Sequence, residues 1–195
     1  MIGGSSGIGF ETARRAREAG ANVIITAQDP ERLERAGLEV GASIVAFDAA
    51  DPGRLQRFFA ELPGPIDHLV LSGSDSYSAG FDEIDFDDVR REVDRRLVLP
   101  LRVAKLTQGL IRPTGSLLLV GGRAAFDPVV TALTAASQAL ARSLAAELAP
   151  VRINVLVPGP AAAPADVAAL AIHVLTNPAI TGASLEVGGD SQLPA

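Results

Sequence analysis

Short apolar runs that alternate with longer segments of helical periodicity constrain the fold of this chain most strongly. The runs predict strands at 22–26, 43–47, 68–72, 116–120, 153–157 and 184–187. Helical stretches are predicted at about 8–19, 30–36, 52–61, 86–109, 130–149 and 165–175. Because the runs are almost continuously hydrophobic, we expect them to be buried on both faces. The pattern predicts an α/β fold in which helices cover both faces of a parallel sheet.

Composition narrows the possible functions. The 195 residues suit one domain, 1–195, and a net charge of −6 argues against nucleic acid or an anionic membrane as partner. No apolar run approaches the roughly 18 residues of a membrane span, and nothing at the start resembles a secretory signal, so we expect a cytoplasmic protein. The chain has no cysteine, and His68 and His173 are far apart in sequence. No metal site is therefore predicted.

A glycine-rich segment stands immediately before the first helical stretch. It reads Gly3-Gly4-Ser5-Ser6-Gly7-Ile8-Gly9. Such a loop directs backbone N–H groups and the positive end of a helix toward an anion such as a pyrophosphate. By itself the spacing is a weak signal, because glycine is common wherever a strand turns into a helix. Asp48 follows the second predicted strand, and parallel sheets bind ligands at such carboxyl ends.

Together these segments resemble the classical short-chain dehydrogenase/reductase family over nearly the whole chain. The matching segments are IGGSSGIG at 2–9, FDAAD at 47–51, GPIDHLV at 64–70, SLAAELAP at 143–150, RINVLVPGP at 152–160, ADVA at 165–168 and TNPAITGASLEVGGD at 176–190. The resemblance implies a Rossmann-type doubly wound sheet in a single domain. It also implies a bound NAD or NADP and, as in related proteins, a homodimer or homotetramer.

The resemblance further implies which residues hold the dinucleotide. They are Gly3, Ser5, Ser6, Gly7, Ile8, Gly9, Gln28, Asp48, Ala49, Ser72, Gly73, Pro158 and Gly159. At the positions that separate NAD-binding from NADP-binding members, this chain has Ala27 and Gln28. Neither an acidic residue nor an arginine stands there, and the absence of an acid leaves room for a 2′-phosphate. The expectation therefore leans slightly toward NADP. Asp29 is expected to cap the helix before Pro30.

The family's catalytic groups are replaced in this chain. An ungapped alignment places its Tyr-x-x-x-Lys on Val130 and Thr134, its catalytic Ser on Gly122 and its helical Asn on Arg96. The loss does not depend on that alignment, since the single tyrosine, Tyr77, precedes the single lysine by 28 positions. None of the family's hydride-transfer groups is therefore predicted at its usual position, and no catalytic residue is predicted.

Three functions remain open at this stage. The first is a dinucleotide-binding relative with slow or absent hydride transfer between carbonyl and alcohol. The second is a non-catalytic subunit that senses the cofactor or pairs with an active relative. The third is an enzyme of shifted mechanism that uses Tyr77, Arg96 or the serines Ser72, Ser74 and Ser76. Arg96 is alternatively a ligand of cofactor phosphates or of an acidic substrate.

Two lengths depart from the family pattern. Only Met1 and Ile2 precede the glycine loop, where the family has a central strand. Either residues precede this numbering, which we favour, or another segment fills the gap. The second departure follows Pro158-Gly159-Pro160, which leads almost directly to Pro164 and omits the loop and helices that usually cover the substrate. A pocket without such a lid excludes water poorly.

Overall fold

The computed structural model of the protein describes residues 1–73, 79–122 and 127–188. Within these ranges helices and strands alternate as the sequence predicts. The strands are β1 (Ile24–Ala27), β2 (Ser43–Ala46), β3 (Ile66–Ser72), β4 (Ile111–Val120), β5 (Arg152–Pro158) and β6 (Ser184–Val187). The helices are α1 (Gly7–Glu18), α2 (Pro30–Val40), α3 (Pro52–Ala60), α4 (Phe86–Val93), α5 (Leu99–Leu106), α6 (Pro128–Glu147) and α7 (Pro164–Thr176).

The strands form parallel pairs on either side of the N-terminal residues. β1 pairs with β2, and β3, β4, β5 and β6 pair in that order. Ile2 forms a parallel bridge to Thr26 of β1 and another to Leu71 of β3. After Ile2 the chain passes through α1 to β1, which lies on one side of Ile2. The later strand β3 lies on the other side of Ile2. Such a reversal of strand order is the point at which open α/β sheets bind ligands.

Met1 and Ile2 stand where the sequence predicts a missing or truncated first strand. The Met1 carbonyl accepts a hydrogen bond from Thr26 N–H at 2.9 Å. Ile2 N–H donates to the Val70 carbonyl at 2.9 Å, and the Ile2 carbonyl accepts from Ser72 N–H at 2.9 Å. These bonds satisfy backbone groups of β1 and β3 that face each other across the gap. At the carboxyl end of the sheet, Met1 and Ile2 therefore occupy the position of the central strand.

Helices pack on both faces of the sheet because successive strand residues point to opposite faces. Leu69, Leu71 and their neighbours on β4 and β5 share a core with α3, α5 and α6. Val70 points to the other face and shares a core with α7. Ile25 of β1 packs among residues of α1 and α2 on a third cluster. This confirms the predicted Rossmann-type architecture of one domain. Within the described ranges, no helix is both long and apolar enough to span a membrane.

The predicted helix 86–109 is interrupted, which corrects the sequence-based expectation. Residues Asp94–Val98 form a π-helical segment between α4 and α5. Pro100 offers no N–H to the carbonyl of Arg96, and the Ser137 hydroxyl, which donates to the Leu133 carbonyl at 2.8 Å, lies 3.2 Å from it. The missing donor accounts for the local change to π-type bonds, in which Leu99 N–H donates to the Asp94 carbonyl, before the α-helix resumes in α5. The segment places Arg95 and Arg96 at the edge of a cleft.

Candidate functional site

A cleft of about 980 Å³ lies at the carboxyl edge of the sheet. The ends of β1, β3, β4 and β5 and the start of α1 form its walls. Twelve of the thirteen predicted cofactor residues line it. They are Gly3, Ser5, Ser6, Gly7, Ile8, Gln28, Asp48, Ala49, Ser72, Gly73, Pro158 and Gly159. The fold therefore brings together residues that are more than 150 positions apart in sequence.

Two glycines of the loop are required by backbone packing. Gly3 has a φ of +81°, and a Cβ there would lie 1.5 Å from the Ser72 carbonyl oxygen. A Cβ on Gly9 would lie 1.9 Å from the Gly3 carbonyl oxygen. Gly9 does not line the cleft, so its contribution to the predicted site is the close approach of α1 to the loop. No side chain fits at either position without moving the backbone.

Gly7 differs from Gly3 and Gly9 because none of the described residues fills the space beside it. Its φ is +54°, and a Cβ there would meet no atom within 4 Å. Ser6 occupies the N-cap of α1 without a side-chain hydrogen bond, and the first turn carries no acidic residue. By contrast, α2, α3, α4 and α6 each begin after an aspartate that accepts backbone N–H bonds, namely Asp29, Asp51, Asp85 and Asp127.

The start of α1 therefore keeps its backbone donors available in an open part of the cleft. Unsatisfied N–H groups and the helix dipole together favour an anion at such a helix end. The absence of a Cβ at Gly7 allows that anion to approach the backbone closely. These features fit the pyrophosphate of a dinucleotide.

At the far end of the cleft, Gln28 and Asp48 are held together. Gln28 Nε2 donates to Asp48 Oδ2 at 2.9 Å, and Asp48 Oδ1 accepts from Ala50 N–H at 2.9 Å. Asp29 caps α2 as predicted, accepting from Arg32 N–H at 3.1 Å. The Arg32 guanidinium lies 3.9 Å from Asp29 and lines the cleft. This end therefore offers amide, carboxylate and guanidinium groups for polar recognition.

Hydrogen bonds connect three of the four positions that the sequence alignment assigned to the family's catalytic groups. Arg96 Nη1 donates to the Gly122 carbonyl at 2.9 Å, and Thr134 Oγ1 donates to the same oxygen at 3.2 Å. Val130 lines the cleft with a side chain that is almost fully buried. Of these four positions, Thr134 has a hydroxyl committed to a carbonyl and Val130 and Gly122 have no side-chain proton to transfer. Arg96 offers a cation at the position that the alignment assigned to the family's asparagine.

Glu92 explains how a guanidinium is accommodated there. Its carboxylate is 3% exposed and accepts from Arg96 Nε at 2.8 Å and from Arg95 Nη1 at 3.4 Å. Arg96 is 9% exposed, whereas Arg95 is 41% exposed. This network was not predicted from the sequence. The spacing of Glu92 and Arg96, four residues apart on a helix, is the signal that could have revealed it.

The other residues singled out from the sequence have structural roles or lie elsewhere. Ser74, Ser76 and Tyr77, proposed for a shifted mechanism, fall outside the described residues. His68 Nδ1 lies 2.9 Å from Ser116 Oγ, and burial, followed by the field of Arg152, lowers the pKa of His68. In the ranges that the structure covers, no three His, Asp or Glu side chains converge as metal ligands.

Comparison with known proteins identifies relatives of this architecture. Residues 3–186 match the family model described as enoyl-(acyl carrier protein) reductase. A human protein, dehydrogenase/reductase SDR family member 2, mitochondrial, is 33% identical over 179 residues, which cover 82% of this chain and 63% of the relative. A cyclic-di-GMP-binding biofilm dispersal mediator protein of Escherichia coli is 30% identical and matches 82% of this chain and 71% of its own length.

Solved structures superpose closely on the chain. The reductase/Diels-Alderase MalC from Malbranchea aurantiaca has a TM-score of 0.84 at 26% identity and covers 95% of this chain and 92% of its own. BdcA in complex with NADPH has a TM-score of 0.86 at 25% identity and covers 95% and 90%, respectively. Proteins of this architecture therefore include one that is seen with a nicotinamide dinucleotide bound.

Proposed function

Because this chain belongs to the short-chain dehydrogenase/reductase family, we propose that it binds NADP(H) or NAD(H) in the cleft and performs hydride transfer slowly or not at all. The single observation that carries the proposal is the open space at Gly7. Packing accounts for Gly3 and Gly9, whereas at Gly7 the missing side chain leaves room for a ligand phosphate. A bound nicotinamide cofactor would supply the hydride for any remaining redox chemistry.

Each part of the cleft has a role in this proposal. Ser5, Ser6, Gly7 and Ile8 hold the pyrophosphate through the start of α1, and Gln28, Asp48 and Ala49 hold the adenosine end. Ser72, Gly73, Pro158 and Gly159 border the nicotinamide end. The slight preference for NADP rests on the lack of a carboxylate at Ala27 and Gln28. Arg32 in the lining adds a cation that a 2′-phosphate can meet.

Loss of catalysis is supported by the network at the other end of the cleft. General acid–base catalysis requires a group that can exchange a proton with the reacting oxygen. Arg96 donates to Glu92 and to the Gly122 carbonyl, Thr134 donates to the same carbonyl, and Val130 carries no proton to exchange. The same observation favours the second candidate function, a non-catalytic subunit that senses the cofactor or assembles with an active relative. Self-association as a dimer or tetramer belongs to this proposal and is testable by light scattering.

Calorimetric titration tests cofactor binding directly. The purified protein is titrated with NADPH, NADH and their oxidised forms, and with cyclic di-GMP, the ligand in the name of the E. coli relative. We expect micromolar binding of one nicotinamide dinucleotide. Turnover with a carbonyl panel should stay near the rate without protein. A protein that binds none of the dinucleotides would contradict the proposal, and rapid turnover would contradict its catalytic part.

A matched pair of glycine variants locates the binding. Gly7→Ala places a methyl group in the open cleft, and Gly20→Ala introduces the same change at a φ of +90°, also with no atom within 4 Å. Both substitutions strain the backbone by about 1 kcal/mol. Only Gly7→Ala should weaken dinucleotide binding, by tenfold or more. Equal binding by both variants would place the ligand elsewhere.

A further inference from the structure

At the end of the cleft where no catalytic residue is predicted, Arg95 is the positively charged side chain that is available to a ligand. Two guanidinium groups share the single carboxylate of Glu92, which leaves one positive charge in this cluster. Arg96 cannot supply it to a ligand freely, since its Nε and Nη1 are committed to Glu92 and the Gly122 carbonyl and its side chain is 9% exposed. Arg95 is 41% exposed, and among the described residues its one ion pair is a long contact of 3.4 Å with Glu92.

We propose that Arg95, positioned by Glu92 and Arg96, binds the carboxylate or phosphate group of a second ligand at the end of the cleft where the family carries out catalysis. The inference extends the proposed function, because it assigns a binding role to the region that has lost its proton-transfer groups. It requires only that the cleft be accessible.

The chemistry of the cluster suits an oxyanion. A guanidinium presents several donors in one plane and can meet two oxygens of a carboxylate or phosphate at once. Glu92 restrains Arg95 through one nitrogen, and no other side chain in the described ranges pairs with the guanidinium, so its remaining donors can meet a ligand. Among the charged side chains in the described lining, Asp29 and Asp48 are the carboxylates, and both lie at the adenosine end with Gln28 and Arg32.

The surroundings of Arg95 also constrain the rest of the ligand. Leu99 and Val130 line the same cleft, and Val130 presents an aliphatic side chain where the family has tyrosine. Apolar lining in the same cleft as a cation suits a ligand with an anionic head and an apolar body. The site therefore fits an organic acid or a phosphate monoester better than a neutral carbonyl compound.

The test uses three variants of the full chain. Arg95→Gln removes the cation, Arg95→Lys keeps a charge without the planar donors, and Arg90→Gln removes a charge from α4 away from the cleft. Arg90 is a matched control because it also pairs with a carboxylate three residues earlier, Asp87. Circular dichroism verifies that each variant is folded.

Acetate and methyl phosphate serve as the probes, and the arginine Nε signals in nuclear magnetic resonance spectra report binding. Titrations are run with and without saturating NADPH, so that an anion held at the glycine loop is distinguished from one held at Arg95. We expect Arg95→Gln to weaken binding of at least one probe tenfold or more, Arg95→Lys to weaken it less, and Arg90→Gln to change it less than twofold.

The outcomes separate this inference from the proposed function. If NADPH does not bind but a probe depends on Arg95, the anion site stands and the dinucleotide proposal fails. If neither probe binds the unmodified protein, the inference is wrong. It is also wrong if Arg95→Gln binds as the unmodified protein does, or if NADPH displaces a probe whose affinity is insensitive to Arg95.

Discussion

The glycine loop and the Glu92 network belong to two parts of one cleft, and they are built differently. At the loop, backbone meets backbone, and a side chain on Gly3 or Gly9 would collide with a carbonyl oxygen. Around Glu92 the contacts are made by side chains, as when Arg96 bonds to Glu92 and to the Gly122 carbonyl. A site made of side chains can change chemistry by substitution without altering the fold. A site made of backbone changes only with the fold.

This difference predicts the largest effect for Gly3→Ala. The added Cβ would lie 1.5 Å from the Ser72 carbonyl oxygen, at a residue whose φ is already +81°. Because Gly3 joins the central bridge to α1, we expect a loss of more than about 3 kcal/mol in the free energy of unfolding. Urea denaturation of Gly3→Ala beside Gly20→Ala measures it. The second variant should lose only about 1 kcal/mol.

If the two variants lost equal stability, the backbone account of the loop would be wrong. The comparison is informative because both glycines have a positive φ, and only Gly3 faces another backbone segment. Any excess destabilisation of Gly3→Ala therefore measures the steric requirement separately from the conformational one.

The side-chain end should be sensitive to Glu92→Gln. This change keeps the size of the residue but leaves the nearly buried Arg96 without a counter-charge. Removing one partner of a buried ion pair costs about 3–5 kcal/mol, and the exposure of Arg95 should place the loss near the lower value. Thermal or urea unfolding provides the measurement.

Asp88→Asn is the control for this prediction. Asp88 pairs with Arg91 on the same helix, and both side chains are largely exposed. Exposed pairs contribute about 0–1 kcal/mol, so this variant should lose little stability. Similar losses in the free energy of unfolding for Asp88→Asn and Glu92→Gln would show that the Glu92 network does not stabilise this part of the cleft.

The sequence predicted the sheet because its signals are local. Apolar runs such as 153–157 and the aspartates before α2 and α3 specify elements from a few neighbouring residues. The π-helical segment within 86–109 was missed, since a proline such as Pro100 is also accepted in the first turn of a regular helix. In the same way, the glycine spacing indicated the loop, but the difference between Gly7 and Gly9 depends on which atoms lie beside them after folding.

The site was predicted as a list of positions and not as a network. The family pattern indicated that Val130, Thr134, Gly122 and Arg96 depart from catalytic residues, and the structure brings Arg96 and Thr134 to the Gly122 carbonyl. Nothing local shows that Arg95, rather than its neighbour, is the more exposed cation. That distinction depends on the course of the π-helical segment and on how deeply Glu92 is buried.

A smaller effect is expected on the choice between NADPH and NADH, which depends on the adenosine end of the cleft. Gln28→Arg introduces a guanidinium beside Asp48, which now accepts from Gln28 at 2.9 Å. Because the new charge can meet a 2′-phosphate, the affinity ratio of NADPH over NADH should rise about tenfold, or roughly 1.4 kcal/mol. Calorimetry on both cofactors measures this ratio. Gln28→Glu should lower it, and a shift in the same direction for both variants would contradict an adenosine end at Gln28.

The smallest effect is expected for His68 and concerns the pH dependence of stability. His68 lies near the start of β3, at the edge of the sheet away from the cleft. Burial, and secondarily the charge of Arg152, lowers the pKa of His68 in the folded protein. The unfolded chain therefore binds this proton first as pH falls, and stability decreases below about pH 6.5, the ordinary histidine value. Above that pH both states are neutral and the contribution vanishes.

Urea unfolding at about pH 7.5 and about pH 5.5, one unit above and below the ordinary histidine pKa, tests whether stability falls on acidification. Compared with the unmodified protein, His68→Gln should lose less stability on acidification, because glutamine does not titrate and can still hydrogen-bond Ser116 Oγ. His173→Gln leaves His68 in place and should retain the effect. A pH-dependent change in dinucleotide affinity that disappears in His68→Gln would show that the cleft is coupled to the opposite edge of the sheet. That result would contradict the comparison of the glycine loop with the Glu92 network, which treats the cleft as independent of that edge.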